Sequence, residues 1–324
     1  MALSSTTTRP ATAPPPSPVP PARRSSSVAA PGITLCLVSA ACFGALPVLG
    51  KKAFEAGASP LGLLWGRFTL AALVFWALVV FVVRPPRPTP RLILAGLAMG
   101  FCGYAVEAAL FFSALHRIDA SLTELLLYAY PALVTAVAVV LGREAASRRL
   151  AAALALASAG LVLVYAGSLA TGVDPAGLAL GLGSAIVYAG YVLAGERVVA
   201  AVHPILLAAL VSTGAAAAFT VAGLAGGGLP LPPTGVAWGV VGFIAVAATV
   251  APMIAFFAGM ERAGAATASI VSTLEPVVTV ALAAVLLGEQ LSAVEALGAA
   301  SVLVAVRLLQ GRAARLERPR VVSA

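Results

Sequence analysis

The sequence predicts an all-α integral membrane protein with ten transmembrane helices, arranged as two inverted five-helix repeats. The first observation behind this prediction is composition: of 324 residues, 61% are hydrophobic and 10% charged, with a mean hydropathy of +1.03. Soluble domains have about 25% charged residues, so this chain has too few to cover a surface in water. The other two observations are a series of ten apolar segments and a match of the chain to itself.

Ten apolar segments follow one another with short connections. Each approaches the roughly 20 residues that a helix needs to cross a bilayer, and in lipid a helix satisfies its own backbone hydrogen bonds. The predicted spans cover roughly residues 32–50, 61–83, 91–113, 121–141, 149–167, 176–195, 204–224, 235–258, 265–287 and 292–310.

Helix-start patterns support these limits. Ser59, Thr89 and Asp174 each precede a proline, which predicts an N-cap residue followed by proline in the first helical position. Two further segments match the capping-box pattern, in which the side chains of the first and fourth residues bond each other's backbone N–H groups. These are the segments from Ser121 to Glu124 and from Ser292 to Glu295.

The basic residues predict the orientation. With the N-terminus inside, 16 of the 20 Lys and Arg fall on the cytoplasmic side and three on the outer side. The positive-inside rule therefore predicts a multi-pass protein of the cytoplasmic membrane with both termini cytoplasmic. Residues 1–30, rich in Ala, Pro, Ser and Thr, are predicted to form a disordered tail, and residues 311–324 a basic tail. The high pI then reflects topology, and no nucleic-acid partner is expected.

The chain matches itself at a shift of 145 residues. Phe111, Pro131 and Glu144 fall on Phe256, Pro276 and Glu289. The same shift aligns residues 32–50 with residues 177–195. Each repeat then has five spans, and an odd number makes the second repeat enter the membrane from the opposite side. Inverted repeats are typical of secondary transporters, whose substrate sites lie near the midplane between the halves.

Residues 114–144 and 259–290 resemble the fourth and ninth spans of the EamA-like family of drug/metabolite transporters. In both stretches a proline is followed 13 residues later by glutamate, as Pro131 by Glu144 and Pro276 by Glu289. The resemblance covers two units, near residues 32–165 and 177–309. It implies a ten-helix permease that exports small metabolites or drugs, and it says little about the substrate.

Ionisable residues inside predicted spans are the candidates for a transport site, because burying a charge in a membrane is costly. Arg67, Glu107 and Glu124 are placed in the outer half of the membrane, and Glu275 near its midplane, by counting 1.5 Å per residue. Glu107 is the strongest candidate for binding substrate or a proton.

Each of the other charged candidates has an alternative role. Arg67 is expected either to pair with Glu107 or Glu124 or to snorkel to the outer interface. Glu124 is interpreted first as a capping residue for Ser121, and Glu275 also as a residue that shapes a kinked helix.

Polar neighbours complete the predicted site. Tyr104 shares a helical face with Glu107, and Tyr128 shares one with Glu124. Weaker candidates are hydroxyl-bearing residues in other spans, which also serve close helix packing. These are Ser39, Ser184, Tyr188 and Thr249.

The leading hypothesis is a secondary transporter that works by alternating access on a small-molecule solute, surrounded by membrane lipid. Two alternatives are a polytopic sensor or scaffold without transport and, less favoured, an intramembrane enzyme. The enzyme lacks support because no His lies inside a span. We expect no catalytic residue, cofactor or metal. Proton coupling and a homodimer are left open.

Overall fold

The computed structural model describes residues 26–142, 147–170 and 172–316. In these residues the regular structure is entirely helical. Eight helical segments are long and apolar enough to cross a bilayer. They are Pro31–Glu55, Pro60–Val83, Pro90–Leu115, Ala120–Val140, Ala151–Ser168, Pro175–Glu196, Pro204–Ala225 and Gly235–Ala263. The prediction of an all-helical, multi-pass membrane protein is confirmed.

The number ten is not reached by the same criteria. The ninth predicted span contains the shorter apolar helix Ile270–Leu286, and the tenth coincides with a final helix that carries Glu295 and Arg307. Both segments are helical, but neither meets the criteria for a membrane span. The ten-span arrangement therefore stays a prediction.

The helices are numbered α1 to α15 along the described residues. Those of the first half are α1 (Ser26–Gly44), α2 (Leu46–Glu55), α3 (Pro60–Ala77), α4 (Pro90–Ala98), α5 (Ala105–Leu115), α6 (Ala120–Leu127), α7 (Tyr130–Val140) and α8 (Arg148–Ala170). Those of the second half are α9 (Pro175–Ala201), α10 (Pro204–Ala225), α11 (Gly235–Ala245), α12 (Ala251–Ala263), α13 (Ala265–Ser272), α14 (Glu275–Leu286) and α15 (Ala293–Leu316). Three π-helical segments interrupt or extend them, at Leu78–Val83, Met99–Tyr104 and Val246–Val250.

Helices extend into both predicted tails. Helix α1 begins at Ser26, so the last residues of the predicted disordered segment 1–30 are helical. Helix α15 continues to Leu316, into the predicted basic tail 311–324. Residues 1–25 and 317–324 lie outside the described residues, as does Glu144.

Most predicted helix starts are confirmed. The Gly62 N–H donates to the Ser59 hydroxyl at 3.0 Å, and the Ala176 N–H donates to the Asp174 carboxylate at 2.9 Å. Ser292 and Glu295 form the reciprocal bonds of a capping box. Thr89 occupies the N-cap position of α4, but its side chain accepts no capping bond.

The predicted capping box of Ser121 and Glu124 is wrong. The start of α6 is bound instead by Glu289, which follows α14 in the other half of the chain. Its carboxylate accepts from the Ala120 and Ser121 N–H groups at 2.8 and 3.0 Å, and from the Ser121 hydroxyl at 2.8 Å. A charged acceptor at a helix N-terminus is favourable, and it leaves Glu124 free for another role.

The contacts between the two halves include five helix pairs that follow one rule. Helix α3 packs on α10, α6 on α14, and α8 on α15, while α1 packs on α12 and α9 on α5. In the numbering of the ten predicted spans, these pairs are 2 with 7, 4 with 9, 5 with 10, 1 with 8 and 6 with 3. Exchanging the halves reproduces the same set of pairs.

The pair α8–α15 shows how closely these helices approach. A Cβ atom added to Gly298 would lie 2.6 Å from the Gly160 carbonyl oxygen, and one added to Gly160 would lie 2.7 Å from the Gly298 carbonyl oxygen. Such distances are shorter than real Cβ contacts, so glycine is required at both positions for this packing. Small residues are the usual means of bringing helices together in a membrane.

Candidate functional site

Two broken helices face each other across the halves. Between α6 and α7 the chain breaks at Tyr128 and Ala129, and between α13 and α14 it breaks at Thr273 and Leu274. Pro131 and Pro276 stand at the starts of α7 and α14. Because proline has no N–H, the carbonyl four residues before it lacks its helical partner. Broken helices of this kind present polar backbone groups inside a membrane protein.

The Tyr128 side chain lies within hydrogen-bond distance of one of these carbonyl groups. Its hydroxyl lies 2.8 Å from the carbonyl oxygen of Ser272, the residue four before Pro276, and 3.0 Å from the Glu275 carboxylate. The hydroxyl has one proton and donates to one of these oxygens at a time. Tyr128 therefore ties the break in the first half to the break in the second.

Five tyrosines form a continuous row that starts at this junction. Tyr128 lies 6.1 Å from Tyr130 between ring centroids, and Tyr130 lies 4.6 Å from Tyr188. Tyr188 stacks on Tyr191 at 5.8 Å, and Tyr191 lies 5.7 Å from Tyr104. These separations are typical of interacting aromatic rings. The row, called here the tyrosine row, contains five of the six tyrosines in the chain and includes residues from both halves.

Three carboxylates accompany the tyrosine row. The side chains of Glu107 and Glu124 are only 6% and 5% exposed. Neither has a hydrogen bond or an ion pair to any side chain in the part of the chain that the structure describes. Glu124 lies within electrostatic range of both Glu107 and Glu275. We call the tyrosine row and these three glutamates the tyrosine–carboxylate cluster.

Arg67 lies beside the cluster without closing an ion pair. It is 2% exposed, and its Nε donates to the Thr249 hydroxyl at 2.8 Å. Its guanidinium lies 4.9 Å from the Phe68 ring centroid and 5.6 Å from that of Phe112, within the range of cation–π attraction. The Tyr104 hydroxyl lies next to the same group.

The structure contradicts both predicted roles of Arg67. Among the described residues no carboxylate lies within 4.0 Å of its nitrogen atoms, so it pairs with neither Glu107 nor Glu124. Its burial contradicts snorkelling to the outer interface. Aromatic faces and the Thr249 hydroxyl replace the predicted ion pair.

Two weaker candidates are bound to backbone. The Ser39 hydroxyl donates to the Pro252 carbonyl at 2.8 Å, which links α1 to α12. The Ser184 hydroxyl donates to the Gly181 carbonyl at 2.7 Å within α9. Both side chains are fully buried, so these bonds favour the packing role over a binding role.

The structure brings most of the predicted residues together. Tyr104, Glu107, Glu124, Tyr128, Tyr188 and Glu275 belong to the cluster, with Arg67 and Thr249 adjacent. Sequence reasoning missed Tyr130 and Tyr191. A count of tyrosines by span was the available signal, because five of six lie in the third, fourth and sixth predicted spans.

The described residues hold no group of three or more His, Cys, Asp and Glu side chains arranged to bind a metal ion. The cluster instead offers aromatic faces, hydroxyls and unpartnered carboxylates at the junction of two halves of a membrane protein. The fold is that of a polytopic membrane protein, with this cluster between its two halves.

Comparisons with known proteins give the family. The sequence model of the EamA-like transporter family matches residues 30–166 and matches again at residues 175–310. A protein of Bacillus subtilis (strain 168) described as "Uncharacterized transporter YcbK" is 30% identical over 285 residues, which cover 85% of this chain and 91% of that protein. The chain belongs to the EamA-like transporter family.

A solved crystal structure shares the fold. It is 21% identical to this chain, with a TM-score of 0.58, and the match covers 90% of this chain and 99% of the other. The family points to a membrane transporter rather than an enzyme, acting on a small-molecule solute within membrane lipid.

Proposed function

We propose that this protein is a secondary transporter that exports small metabolites or drugs across the cytoplasmic membrane by alternating access. The observation that carries the proposal is the tyrosine–carboxylate cluster, which has buried and unpartnered glutamates at the junction of the two halves. An anion buried without a partner is costly, so these side chains are suited to bind a solute or a proton.

The proposed architecture has ten spans in two inverted repeats, at residues 32–165 and 177–309, with both termini in the cytoplasm. Support comes from the helix pairs, since exchanging the halves leaves the set of pairs unchanged. In this arrangement the pair α8–α15 stands apart, while the other pairs surround the cluster and rock about it. Proton coupling through Glu107 and assembly as a homodimer belong to the same proposal.

Solute flux into liposomes tests the proposal. Purified protein is reconstituted, and uptake of radiolabelled amino acids, amines and sugars is measured against protein-free liposomes. The proposal expects uptake that saturates with solute concentration for one chemical class. Glu107→Gln should lose it and Glu55→Gln, a surface control, should keep it. Uptake that never exceeds that of protein-free liposomes across the whole panel would contradict the proposal.

The direction needs a second preparation. In inside-out membrane vesicles an exporter accumulates its solute, while in right-side-out vesicles it does not. The proposal expects accumulation in inside-out vesicles, driven by a proton gradient. Accumulation confined to right-side-out vesicles would overturn export and leave transport standing.

A further inference from the structure

The composition of the tyrosine–carboxylate cluster indicates the charge of its ligand. It combines three glutamates with one arginine at its edge. The arginine is already engaged by the Thr249 hydroxyl and by the Phe68 and Phe112 rings. Among the described side chains, Glu107 and Glu124 have no ion pair and no hydrogen-bond donor, and Arg67 lies within electrostatic range of Glu107. The site therefore has more carboxyl groups than cations to balance them.

The tyrosine row supplies the second part of the argument. Four of its rings, those of Tyr104, Tyr130, Tyr188 and Tyr191, keep partial exposure in the bundle. Aromatic faces carry negative electrostatic potential and attract cations, and several rings around one position recognise alkylated ammonium groups. The rings lie between Glu107 at one end of the row and Glu275 at the other. Ring faces and carboxylates thus favour the same ligand.

We propose that the tyrosine–carboxylate cluster binds an organic cation, with its positively charged nitrogen against the tyrosine faces and Glu107 or Glu124 as counter-ion. This inference rests on the proposed function and names its substrate class. A zwitterion would also place a carboxylate in the cluster, where three glutamates repel it. A purely anionic solute has only the partly engaged Arg67 to bind.

Binding to the purified full-length protein tests the ligand class without requiring transport. Three probes share one benzene ring and differ in charge: phenyltrimethylammonium is a cation, L-phenylalanine a zwitterion and benzoate an anion. Melting temperature in detergent is followed against concentration of each probe, with sodium chloride at equal ionic strength as a blank. We expect a saturable rise for phenyltrimethylammonium alone. A saturable rise for phenylalanine or benzoate without one for the cation, or no rise for any probe, would overturn the inference.

Variants assign the binding to the cluster. At least one of the variants Glu107→Gln and Glu124→Gln should raise the dissociation constant for phenyltrimethylammonium about tenfold or more, which corresponds to losing one close charge interaction. Tyr188→Leu should weaken it severalfold, while Tyr188→Phe should retain it because the ring face remains. Tyr165→Leu and Glu55→Gln are matched controls outside the cluster. Unchanged affinity in both glutamine variants would contradict the site.

Folding is checked for every variant by gel filtration and by its melting temperature without ligand. Where Tyr188→Leu fails to fold, Tyr191→Leu takes its place, since the two rings stack on each other.

The failure of this inference can be distinguished from the failure of the proposed transport function. Binding of the cation without flux would contradict transport and support the site, while saturable flux of a neutral or anionic solute without cation binding would support transport and overturn the ligand class.

Discussion

In the first half of the chain, the helix break at Tyr128 and Ala129 leads into Tyr130. In the second half, the break at Thr273 and Leu274 leads into Glu275. Each position in the second set follows its counterpart by 145 residues. The π-helical segments Met99–Tyr104 and Val246–Val250 overlap at the same shift. These helix interruptions are therefore repeated in both halves.

The side chains at these repeated positions differ. Glu107 corresponds to Pro252, Tyr104 to Thr249 and Tyr130 to Glu275. The backbone also differs in places. The first span breaks at Ala45 between α1 and α2, while α9 continues through the matching Gly190. The helix breaks at the site are therefore repeated in the two halves, while the side chains of the site are not.

The largest expected effect is a loss of transport on substitution of Glu107, compared with its counterpart Pro252. Glu107→Gln keeps the shape of the side chain and removes the charge and the exchangeable proton. We expect proton-coupled uptake to fall by about 100-fold or more, within the range for losing an essential proton-transfer group, with membrane insertion unchanged. Uptake into liposomes under an imposed pH gradient measures this. Pro252→Ala at the matching position should leave uptake within severalfold of wild type, and coupling that persists in Glu107→Gln would remove Glu107 from the mechanism.

The next effect concerns the outlying pair α8–α15. Gly298→Leu places side-chain atoms where the Gly160 carbonyl lies, and overpacking of this kind costs roughly 1–3 kcal/mol. We expect a lower melting temperature in detergent with solute binding retained, since the pair lies outside the cluster. Ala300→Leu, at an exposed position of the same helix, is the matched control. Equal stability of the two variants would show that the close approach is not required.

A stability effect of similar size is expected at the hydrogen bonds that cross the halves. Glu289→Ala removes the carboxylate that accepts three hydrogen bonds at the start of α6. Hydrogen bonds to a charged group contribute about 1.5–3 kcal/mol, so the melting temperature should fall. The neighbouring Gln290→Ala is exposed and should have no such effect. If Ser121→Ala and Glu289→Ala lower stability independently and additively, the two side chains are not coupled.

The smallest effect is pH dependent and lies in the connections outside the spans. The Arg117 guanidinium beside Asp174 lowers the pKa of that carboxyl below 3.8. A lowered folded-state pKa contributes stability above the unfolded value and loses it as pH falls through the folded value. Asp174→Asn keeps a capping side chain for α9 and removes the charge. Its melting temperature should lie slightly below wild type at pH 7 and converge with it in acid; a constant difference would contradict the ion-pair account.

Sequence reasoning reached the fold because its signals are local or periodic. The apolar segments, the two capping residues and the 145-residue shift can all be seen along the chain. The structure has helices at the apolar segments and caps at Ser59 and Asp174. The capping box of Ser121 and Glu124 failed for a physical reason. Glu289 lies 168 residues from Ser121 in sequence, and its carboxylate reaches the same N–H groups across the helix pair. A local pattern cannot anticipate a competitor from the other half.

The sequence predicted which residues form the candidate site better than it predicted which side chains they contact. Because burying a charged side chain in a membrane is costly, Glu107, Glu124 and Glu275 could be identified from the sequence. Arg67 was expected to pair with a carboxylate, yet aromatic faces and the Thr249 hydroxyl surround it. Tyr130 and Tyr191 were missed because a helical face within one span does not reveal which rings of different spans meet.

Access to the cluster from the two sides of the membrane tests the central claim most directly. In a background with the three cysteines replaced, Tyr130→Cys is treated in intact cells with a membrane-impermeant thiol reagent, and separately in inside-out vesicles. Alternating access predicts labelling from both sides, with solute slowing the reaction. Labelling from one side only, whatever the solute or gradient, would contradict the account.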